Sequence, residues 1–431
     1  MRVLIAERHS DPVVAVLLFY RVGSRNETER DAGVSHFLEH MMFKGSKRYG
    51  KGEVDRVTTL LGGNNNAFTG NDHTAYWFEF ASDRWEQALA IEADRMRKLS
   101  LDPEEFDAER AVVLEELAQS EDDPWRVLTR RVESALFPRH PYGRPVIGYM
   151  DSLRAMSVAD MRDYYRRFYH PGNATLVICG DVRHSAALRA ARKHFAGIPA
   201  GKAYAEADCF RPAVSQPVGE VRLAMRWDDQ AKRLCMAWPT TSVGSDDDYA
   251  LDLIMTALLS GRTSRLQRRL VLEERLATSL SASNDTRVEG GVFWLFADCA
   301  QGVEPERLEA AIDEELEKLA TRPLSAAELK RARALLNSSE AYDGETVSDL
   351  AEELGEWAVD ADWRLAFDGG VRYAALTGAE LRDTAARYLL PERRVVGWCL
   401  PTQAAPRARP PRAKKRKDSP PKRRSTKKAA R

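Results

Sequence analysis

The chain has 431 residues and a formal net charge of zero, with 44% hydrophobic and 30% charged residues. This is the composition of a soluble globular protein, and the length predicts two domains because one core rarely organises so many residues. No stretch approaches the roughly 18 apolar residues of a membrane span, and Glu7 and Arg8 interrupt any signal peptide, so we expect a cytoplasmic protein, or a periplasmic one if an exported segment precedes Met1.

Charge is distributed unevenly along the chain. Residues 407–431 carry 13 basic side chains and one acidic side chain, whereas residues 1–406 carry 52 basic and 64 acidic ones. The last segment also lacks large apolar residues, so we expect 403–431 to be a disordered basic tail. Such a tail can serve solubility, or bind nucleic acid, an anionic membrane surface or the acidic body of the chain.

In the first half, periodicity and turn residues predict the order of strands and helices. Strands are predicted at 2–6, 13–22, within 66–80 and at 173–181. Helices are predicted at 33–42, 53–61, 85–99, 103–121, 158–168 and 185–195. Residues 62–66 are predicted to form a turn and residues 140–145 a loop. The helix at 103–121 has the clearest start, with Asp102 as N-cap and proline at the first helical position.

Residues 198–217 lack periodicity and contain three prolines, and within this segment we predict a linker at 201–217 between the two halves. Further strands are predicted at 219–227, 233–238, 278–283 and 291–298, and helices at 248–259, 263–275, 304–319 and 325–340. The order of the first half thus recurs after roughly 210 residues, as in an internal repeat. We predict domains at 1–200 and 218–402, of which only the first has histidines in its opening helix.

The segment 35–43 combines two imidazoles and a carboxylate with a buried apolar helix pattern. On a helix, His36, Glu39 and His40 point into one arc of roughly 100°. Neutral imidazoles bind zinc, and a carboxylate beside them can accept a proton from water at the metal. The spacing H-x-x-E-H is the inverzincin form of a zinc-protease motif. The alternative is an ordinary helix that happens to carry two histidines. The five cysteines form no C-x-x-C pair, so the sequence indicates neither a disulfide framework nor a thiolate zinc site.

Two acids on the predicted helix at 103–121 share one face. Glu109 and Glu116 are two turns apart and lie within about 20° of each other around the helix. Glu115 points about 100° away from Glu116. From the residues alone, each of these acids can equally be an ordinary surface side chain.

Five segments of the sequence together form a recognisable set: HFLEHMMFKG at 36–45, NAFT at 66–69, ERAVVLEE at 109–116, HPYG at 140–143 and YHPGNATLVICGD at 169–181. With these segments the chain resembles, over residues 1 to about 400, the pitrilysin and insulinase-type zinc metallopeptidases, which include the mitochondrial processing peptidases. The resemblance implies an α+β fold of two structurally similar domains, each a mostly antiparallel sheet covered by helices, which face each other as a clam.

The resemblance also assigns roles to individual residues. In the family the third zinc ligand is a glutamate on a separate helix, and the position that matches it is Glu116. Glu109 matches a second acid that supports the site from outside the ligand set. The segment NAFT matches an edge strand that binds the peptide by strand addition, which carries substrate binding over to Asn66 and Ala67. The alternative for these two residues is an ordinary strand end.

One departure from the family concerns the second half. Self-sufficient members carry an arginine and a tyrosine seven residues apart that contact the substrate, and Val271 and Thr278 occupy those two positions. Some bacterial members divide the zinc motif and the Arg/Tyr pair between two chains. This chain resembles the zinc-bearing subunit of such a heterodimer, so we expect a homologous partner subunit that carries the pair.

The predicted function is therefore a zinc endopeptidase that holds one Zn²⁺ with His36, His40 and Glu116 and uses Glu39 as the base. Its substrates would be peptides or small unfolded proteins. Two alternatives stay open: a non-catalytic scaffold that binds peptides, favoured by Val271 and Thr278, and a nucleic-acid-associated protein, favoured by the basic tail alone. The acidic body contains no recognisable nucleic-acid motif.

Overall fold

The computed structural model describes residues 1–202 and 219–402. The strands are β1 (Arg2–Glu7), β2 (Val13–Tyr20), β3 (Asn64–Thr69), β4 (Thr74–Ala81), β5 (Ala174–Gly180), β6 (Val221–Trp227), β7 (Arg233–Pro239), β8 (Ala277–Asp285), β9 (Val292–Cys299) and β10 (Val395–Pro401). The helices of the first half are α1 (Val34–Met41), α2 (Glu53–Leu60), α3 (Glu86–Lys98), α4 (Pro103–Glu121), α5 (Pro124–Leu136), α6 (Met150–Ala155), α7 (Val158–Phe168) and α8 (His184–Phe195). Those of the second half are α9 (Asp246–Leu259), α10 (Pro305–Thr321), α11 (Ala326–Asp343), α12 (Val347–Asp360), α13 (Gly369–Ala375) and α14 (Gly378–Tyr388).

The strands form two sheets of five with the same topology. The order is β1-β5-β2-β4-β3 in the first sheet and β6-β10-β7-β9-β8 in the second. In each sheet the first strand pairs in parallel with its neighbour, and the other pairs are antiparallel. This repeat confirms the predicted fold class of two similar α+β domains, and it places β3 and β8 at equivalent sheet edges.

Each sheet is covered on one face by a helix from the other half of the chain. Alternate residues of β2 serve two cores: Val16 packs with the helices of the first half, whereas Phe19 packs against α12. Gly355 of α12 allows this approach, because a Cβ atom there would lie 2.0 Å from the Phe19 ring. In the same way α5 packs on β7 and β10. Each sheet therefore has one face that is buried only by packing against the other half of the chain.

A buried polar cluster also joins the halves, and it contains the HPYG segment. His140 accepts a hydrogen bond from the Tyr142 amide at Nδ1 and donates from Nε2 to Glu289 across 2.7 Å. Tyr142 donates its hydroxyl hydrogen to Asp72, whose carboxylate also pairs with Arg25 at 2.8 Å. Because Glu289 lies between β8 and β9, these contacts fix the β8–β9 turn against the first half.

Several predicted elements agree with the structure and others need correction. The helix at 103–121 is confirmed, with the Asp102 carboxylate accepting the amides of Glu104 and Glu105. The turn predicted at 62–66 is wrong from Asn64 onward, because those residues pair with β4. The helix predicted at 263–275 contains a π-helix at Gln267–Glu273.

Two further predictions fall outside the described residues: most of the linker at 201–217, and the basic tail at 403–431. The domain limits therefore stay a prediction. The four described cysteines are free and buried, as the scattered spacing indicates. No helix in the described part is long and apolar enough to cross a membrane.

Candidate metal centre

The short helix α1 places three polar side chains beside an apolar face. Phe37, Leu38 and Met41 are buried in the core of the first half, so the helix orientation is fixed by packing. His36, Glu39 and His40 lie on the remaining part of the surface and are partly buried. The N-terminus of α1 begins after Gly33, and the buried carboxylate of Glu27 accepts the amides of Gly33 and Ser35 at 2.8 Å each. This side chain caps the helix from six residues upstream of Gly33.

Glu116 of α4 reaches the two histidines. Its Oε2 atom lies 3.7 Å from Nε2 of His36 and 3.6 Å from Nε2 of His40. One donor atom of each of these three residues lies within 4.8 Å of the other two. Within residues 1–202 and 219–402 this is the one group of three or more His, Cys, Asp and Glu that meets that criterion. The structure thus brings together the three side chains predicted as ligands.

The pKa of His36 and the hydrogen bond of His40 both suit metal binding. Burial, and then the neighbouring His40, lower the pKa of His36 to about 4, so its imidazole is neutral at neutral pH. His40 donates from Nδ1 to Oε1 of Glu109 across 2.9 Å, which leaves the lone pair on Nε2, the atom that faces Glu116. Glu109 is held in place by Lys44, whose Nζ lies 2.6 Å from the second carboxylate oxygen.

The charge on Glu109 is itself stabilised by these partners. Burial acts to raise the pKa of its carboxyl, but the hydrogen bonds from Lys44 and His40 outweigh burial and lower it. Glu109 therefore remains an anion beside His40. Lys44 belongs to the segment HFLEHMMFKG, yet its contact with Glu109 depends on how α1 packs on α4, so sequence reasoning did not single it out.

Glu39 lies beside the candidate ligands His40 and Glu116, and it has a partner that sequence reasoning also missed. The Thr69 hydroxyl donates a hydrogen bond to Oε2 of Glu39 across 2.5 Å. Burial raises the pKa of Glu39, whereas Thr69 and His40 act to lower it. A carboxylate with a raised pKa is a stronger base than one in water. Thr69 belongs to the segment NAFT, which is the signal that could have found it.

The two residues predicted to bind substrate lie on the same strand as Thr69. Asn66 and Ala67 are in β3, the edge of the first sheet, where they pair with Trp77 and Tyr76 of β4. An edge strand has one row of backbone groups without a neighbouring strand in its sheet. The strand that reaches Glu39 through Thr69 is therefore also able to accept an added peptide strand.

In the second half, the helix positions equivalent to those of His36 and His40 hold carboxylates. Asp248 and Asp252 are the third and seventh residues of α9, as His36 and His40 are of α1. The Asn284 amide donates to both aspartates, at 2.9 and 3.0 Å. Burial raises the pKa of Asp252 to about 7. The second half thus has hydrogen-bonded acids where the first half has imidazoles.

The two positions of the missing Arg/Tyr pair lie on two consecutive elements of the second half, a π-helix and β8. Val271 lies in the π-helix and packs against the core of that half, whereas Thr278 is exposed at an irregularity of β8. Between them Arg275 adopts a left-handed backbone with φ of 54°. Val271 has no polar group, and the Thr278 hydroxyl donates to the Asp298 carbonyl at 3.4 Å, so these positions supply neither a guanidinium nor a phenol.

Over most of its length the chain is similar to known proteins. Residues 2–149 match the family model described as insulinase (peptidase family M16), and residues 155–336 match the model described as peptidase M16 inactive domain. Zinc protease PqqE of Helicobacter pylori is 29% identical over 380 residues, covering 87% of this chain and 85% of that protein. An uncharacterized zinc protease of Mycobacterium leprae is 30% identical over 317 residues, covering 73% and 70%.

Solved structures show the same fold. The crystal structure of a protease from Helicobacter pylori has a TM-score of 0.85 and 27% identity, covering 92% of this chain and 97% of that one. A structure described as a peptidase M16 inactive domain from Pseudomonas fluorescens has a TM-score of 0.84 and 18% identity, covering 93% and 96%. At that identity the second match supports the fold alone.

Proposed function

The chain belongs to the insulinase family of peptidases, family M16, and from this premise we propose that it is a zinc-dependent endopeptidase acting on peptides or small unfolded proteins. One observation carries the proposal. Donor atoms of His36, His40 and Glu116 lie within 4.8 Å of one another, and Glu39 is close enough to His40 and Glu116 for its pKa to respond to both. The relatives named above are called zinc proteases, which supports the same metal and reaction class.

The donor set fits zinc. Donor atoms around a tetrahedral zinc ion lie about 3.3 Å apart, and the two imidazole nitrogens lie 3.7 and 3.6 Å from the Glu116 oxygen. Two neutral imidazoles and one carboxylate are a typical protein ligand set for catalytic zinc. We therefore assign one Zn²⁺ to His36, His40 and Glu116, with Glu109 orienting His40 from outside the ligand set.

When bound, zinc would polarise the scissile carbonyl and make water more acidic. Glu39 acts as general base: one carboxylate oxygen takes the proton of the attacking water, and the same group later delivers that proton to the leaving amine. Thr69 holds the other oxygen, Oε2, by its hydrogen bond. Burial raises the pKa of Glu39, which makes its carboxylate a stronger base toward the attacking water than a carboxylate in solvent.

We assign peptide positioning to β3. A substrate in extended conformation would add to this edge strand by backbone hydrogen bonds, alongside Asn66 and Ala67. Such binding uses the backbone groups of the substrate and accepts many side chains, which suits unfolded chains of varied sequence. The end of β3 at Thr69 would then place the peptide next to Glu39.

A homologous partner subunit is the second part of the proposal. Because Val271 and Thr278 replace the Arg/Tyr pair, the chain alone is expected to cleave slowly or not at all. A partner carrying the pair would complete the site. The same two residues favour an alternative function, a non-catalytic scaffold that binds peptides.

The test combines metal analysis with peptide cleavage. We would measure zinc per chain and the cleavage of quenched fluorescent peptides by the chain alone and with a homologous subunit that carries the Arg/Tyr pair. The proposal predicts one zinc per chain and cleavage that appears or rises strongly with the partner and disappears when a chelator removes zinc. Peptide binding without cleavage under all these conditions would favour the scaffold.

A further inference from the structure

A small cavity lies within the second half, where α9, α11, α12 and α13 meet the end of β8. Its volume is about 160 Å³. A cavity of about 150 Å³ can hold one benzene molecule, so this one has room for a ligand of about six non-hydrogen atoms. Among the described residues that line it are four carboxylates and no basic side chain; the acids are Asp248, Asp252, Glu340 and Glu353. The cavity therefore presents negative charge to anything that enters it.

Two of these acids are held in place by neutral hydrogen-bond donors. The side-chain amide of Asn284 donates to Oδ1 of Asp248 at 2.9 Å and to Oδ1 of Asp252 at 3.0 Å. The second oxygen of Asp248 accepts the Gly244 amide at 2.8 Å. That of Asp252 accepts the Tyr373 hydroxyl at 3.0 Å. These donors orient both carboxylates but bring no positive charge to them.

The pKa values of the two aspartates reflect this lack of a positive partner. Burial, and then the neighbouring Asp248, raise the pKa of Asp252 to about 7. Burial also raises the pKa of Asp248. A cation beside the pair would lower both pKa values, because an opposite charge favours the ionised form of a carboxyl group. The pair is thus arranged so that a bound cation would interact favourably with it.

A buried tyrosine in the wall of the cavity points to the same kind of ligand. Tyr249 is 3% exposed, and within residues 1–202 and 219–402 its hydroxyl oxygen has no hydrogen-bond partner. Burial raises the pKa of this hydroxyl, Arg372 acts to lower it, and both aspartates act to raise it, so the hydroxyl lies within electrostatic reach of the acids. The side-chain carbonyl oxygen of Asn284 is also buried without a donor in the described part of the chain. Buried polar atoms are normally hydrogen-bonded, so both oxygens are suited to accept hydrogens from a bound ligand.

The other walls favour an organic cation over a metal ion. The rings of Tyr249 and Tyr373 lie edge to face with centroids 5.5 Å apart, and Trp357 adds a third aromatic side chain. Aromatic faces attract ammonium groups. Across the described residues, three metal-ligating side chains close enough to share an ion occur only at the candidate metal centre. A cavity of about 160 Å³ is also much larger than a single ion requires.

We propose that this cavity binds a small organic molecule with a primary ammonium group on a chain of about four carbons. The three N–H groups of the ammonium match the carboxylates of Asp248 and Asp252 and the hydroxyl oxygen of Tyr249. The carbon chain would pack against the aromatic side chains of the wall. The inference does not depend on the proposed function, because it involves neither zinc nor cleavage.

The first test measures binding to the zinc-loaded full chain by ligand-observed NMR. n-Butylamine should bind saturably, whereas 1-butanol, which has a similar shape and no charge, should bind at least about tenfold more weakly. Nα-acetyl-lysine amide carries the same ammonium group on a larger molecule. Binding of this probe as well supports a lysine side chain as the ligand, and binding of n-butylamine without it supports a free amine. If n-butylamine does not bind, or binds no better than 1-butanol, the proposal is overturned.

The second test locates the bound amine with variants. Asp252→Asn keeps the shape of the side chain and removes its charge, so it should weaken n-butylamine binding at least about tenfold. Asp228→Asn removes an exposed acid of the same half and is the control, with wild-type binding expected. Binding that is unchanged in Asp252→Asn, as expected for an amine bound at zinc, overturns the proposal, and so does an equal loss in Asp228→Asn.

Tyr249→Phe separates a role in binding from a role in folding. Because the hydroxyl has no partner in the described part of the chain, its removal should not lower the free energy of unfolding measured without ligand. The same variant should weaken n-butylamine binding by about 3- to 10-fold, because the ammonium loses an acceptor. A less stable protein with unchanged amine binding would overturn the assigned contact and with it the proposed site.

Discussion

The His40 imidazole donates a hydrogen bond from Nδ1 to Oε1 of Glu109 across 2.9 Å, while its Nε2 faces Glu116. Partners of this kind fix the tautomer and orientation of a ligand, and their loss lowers metal affinity by about 10- to 100-fold. We expect that loss for Glu109→Gln, measured by competition with a chelator. Glu115→Gln, at an exposed position on the same helix, is the control and should bind zinc as the wild type does. Unchanged affinity in Glu109→Gln would contradict the assigned role.

The hydrogen bond from Thr69 to Glu39 gives a second prediction. Thr69→Val keeps the shape of the side chain and removes the hydroxyl, so Glu39 loses the partner of its Oε2 atom. A hydrogen bond to a charged group contributes enough to change kcat by about tenfold. Steady-state kinetics should show lower kcat with unchanged KM and zinc content. Thr69→Ser, which keeps the hydroxyl, should have the wild-type rate. A low kcat in Thr69→Ser would show that loss of the hydroxyl does not explain the low kcat of Thr69→Val.

The packing of α12 on the first sheet gives a prediction about stability. Gly355→Ala would place a Cβ atom 2.0 Å from the buried Phe19 ring. Overpacking of this kind costs about 1–3 kcal/mol, although alanine normally stabilises a helix. Gly370→Ala, in α13 with its nearest contact at 3.9 Å, is the matched control and should be neutral or stabilising. Chemical unfolding measures both, and equal effects would mean that α12 does not approach the sheet as closely as described.

A buried histidine where the two halves meet predicts a dependence on pH. His73 packs against Phe19 and Phe68, and its Nδ1 lies 3.1 Å from both oxygens of Asp360, at the end of α12. Burial acts to lower the pKa of His73, but Asp360, with Glu356 and Asp72, outweighs burial and raises it above 6.5.

The folded state therefore binds a proton more tightly than the unfolded state. Its stabilisation is complete below about pH 6.5 and is lost as pH rises through the raised pKa. The free energy of unfolding lost in Asp360→Asn should be larger at about pH 6 than at about pH 9. A loss that is independent of pH would contradict a charged His73–Asp360 pair.

Local signals predicted some elements because their causes are local. The start of α4 depends on the Asp102 side chain and a proline beside it, and both are visible in the sequence. The same signals precede α5, where Asp123 accepts the amide of Trp125, so this helix could have been predicted too. That α5 packs on the second sheet could not, because residues more than a hundred positions apart decide it.

The site was predictable to the extent that its geometry lies within one helix. The spacing of His36, Glu39 and His40 placed all three on one arc of α1 without further information. Glu116 required the family resemblance, because several acids on its helix were equivalent by periodicity alone. The contact between Thr69 and Glu39 depends on the register of β3, in which Thr69 pairs with Thr74. That register could not be predicted from the sequence.

The most direct test of the central claim is the cleavage rate of Glu39→Gln against the wild type, both loaded with one zinc per chain and assayed with the Arg/Tyr-bearing subunit. In the mechanism Glu39 serves as the general base and is not a zinc ligand. The variant should therefore keep its zinc and lose turnover by at least about 100-fold. Full cleavage by zinc-loaded Glu39→Gln would contradict the account.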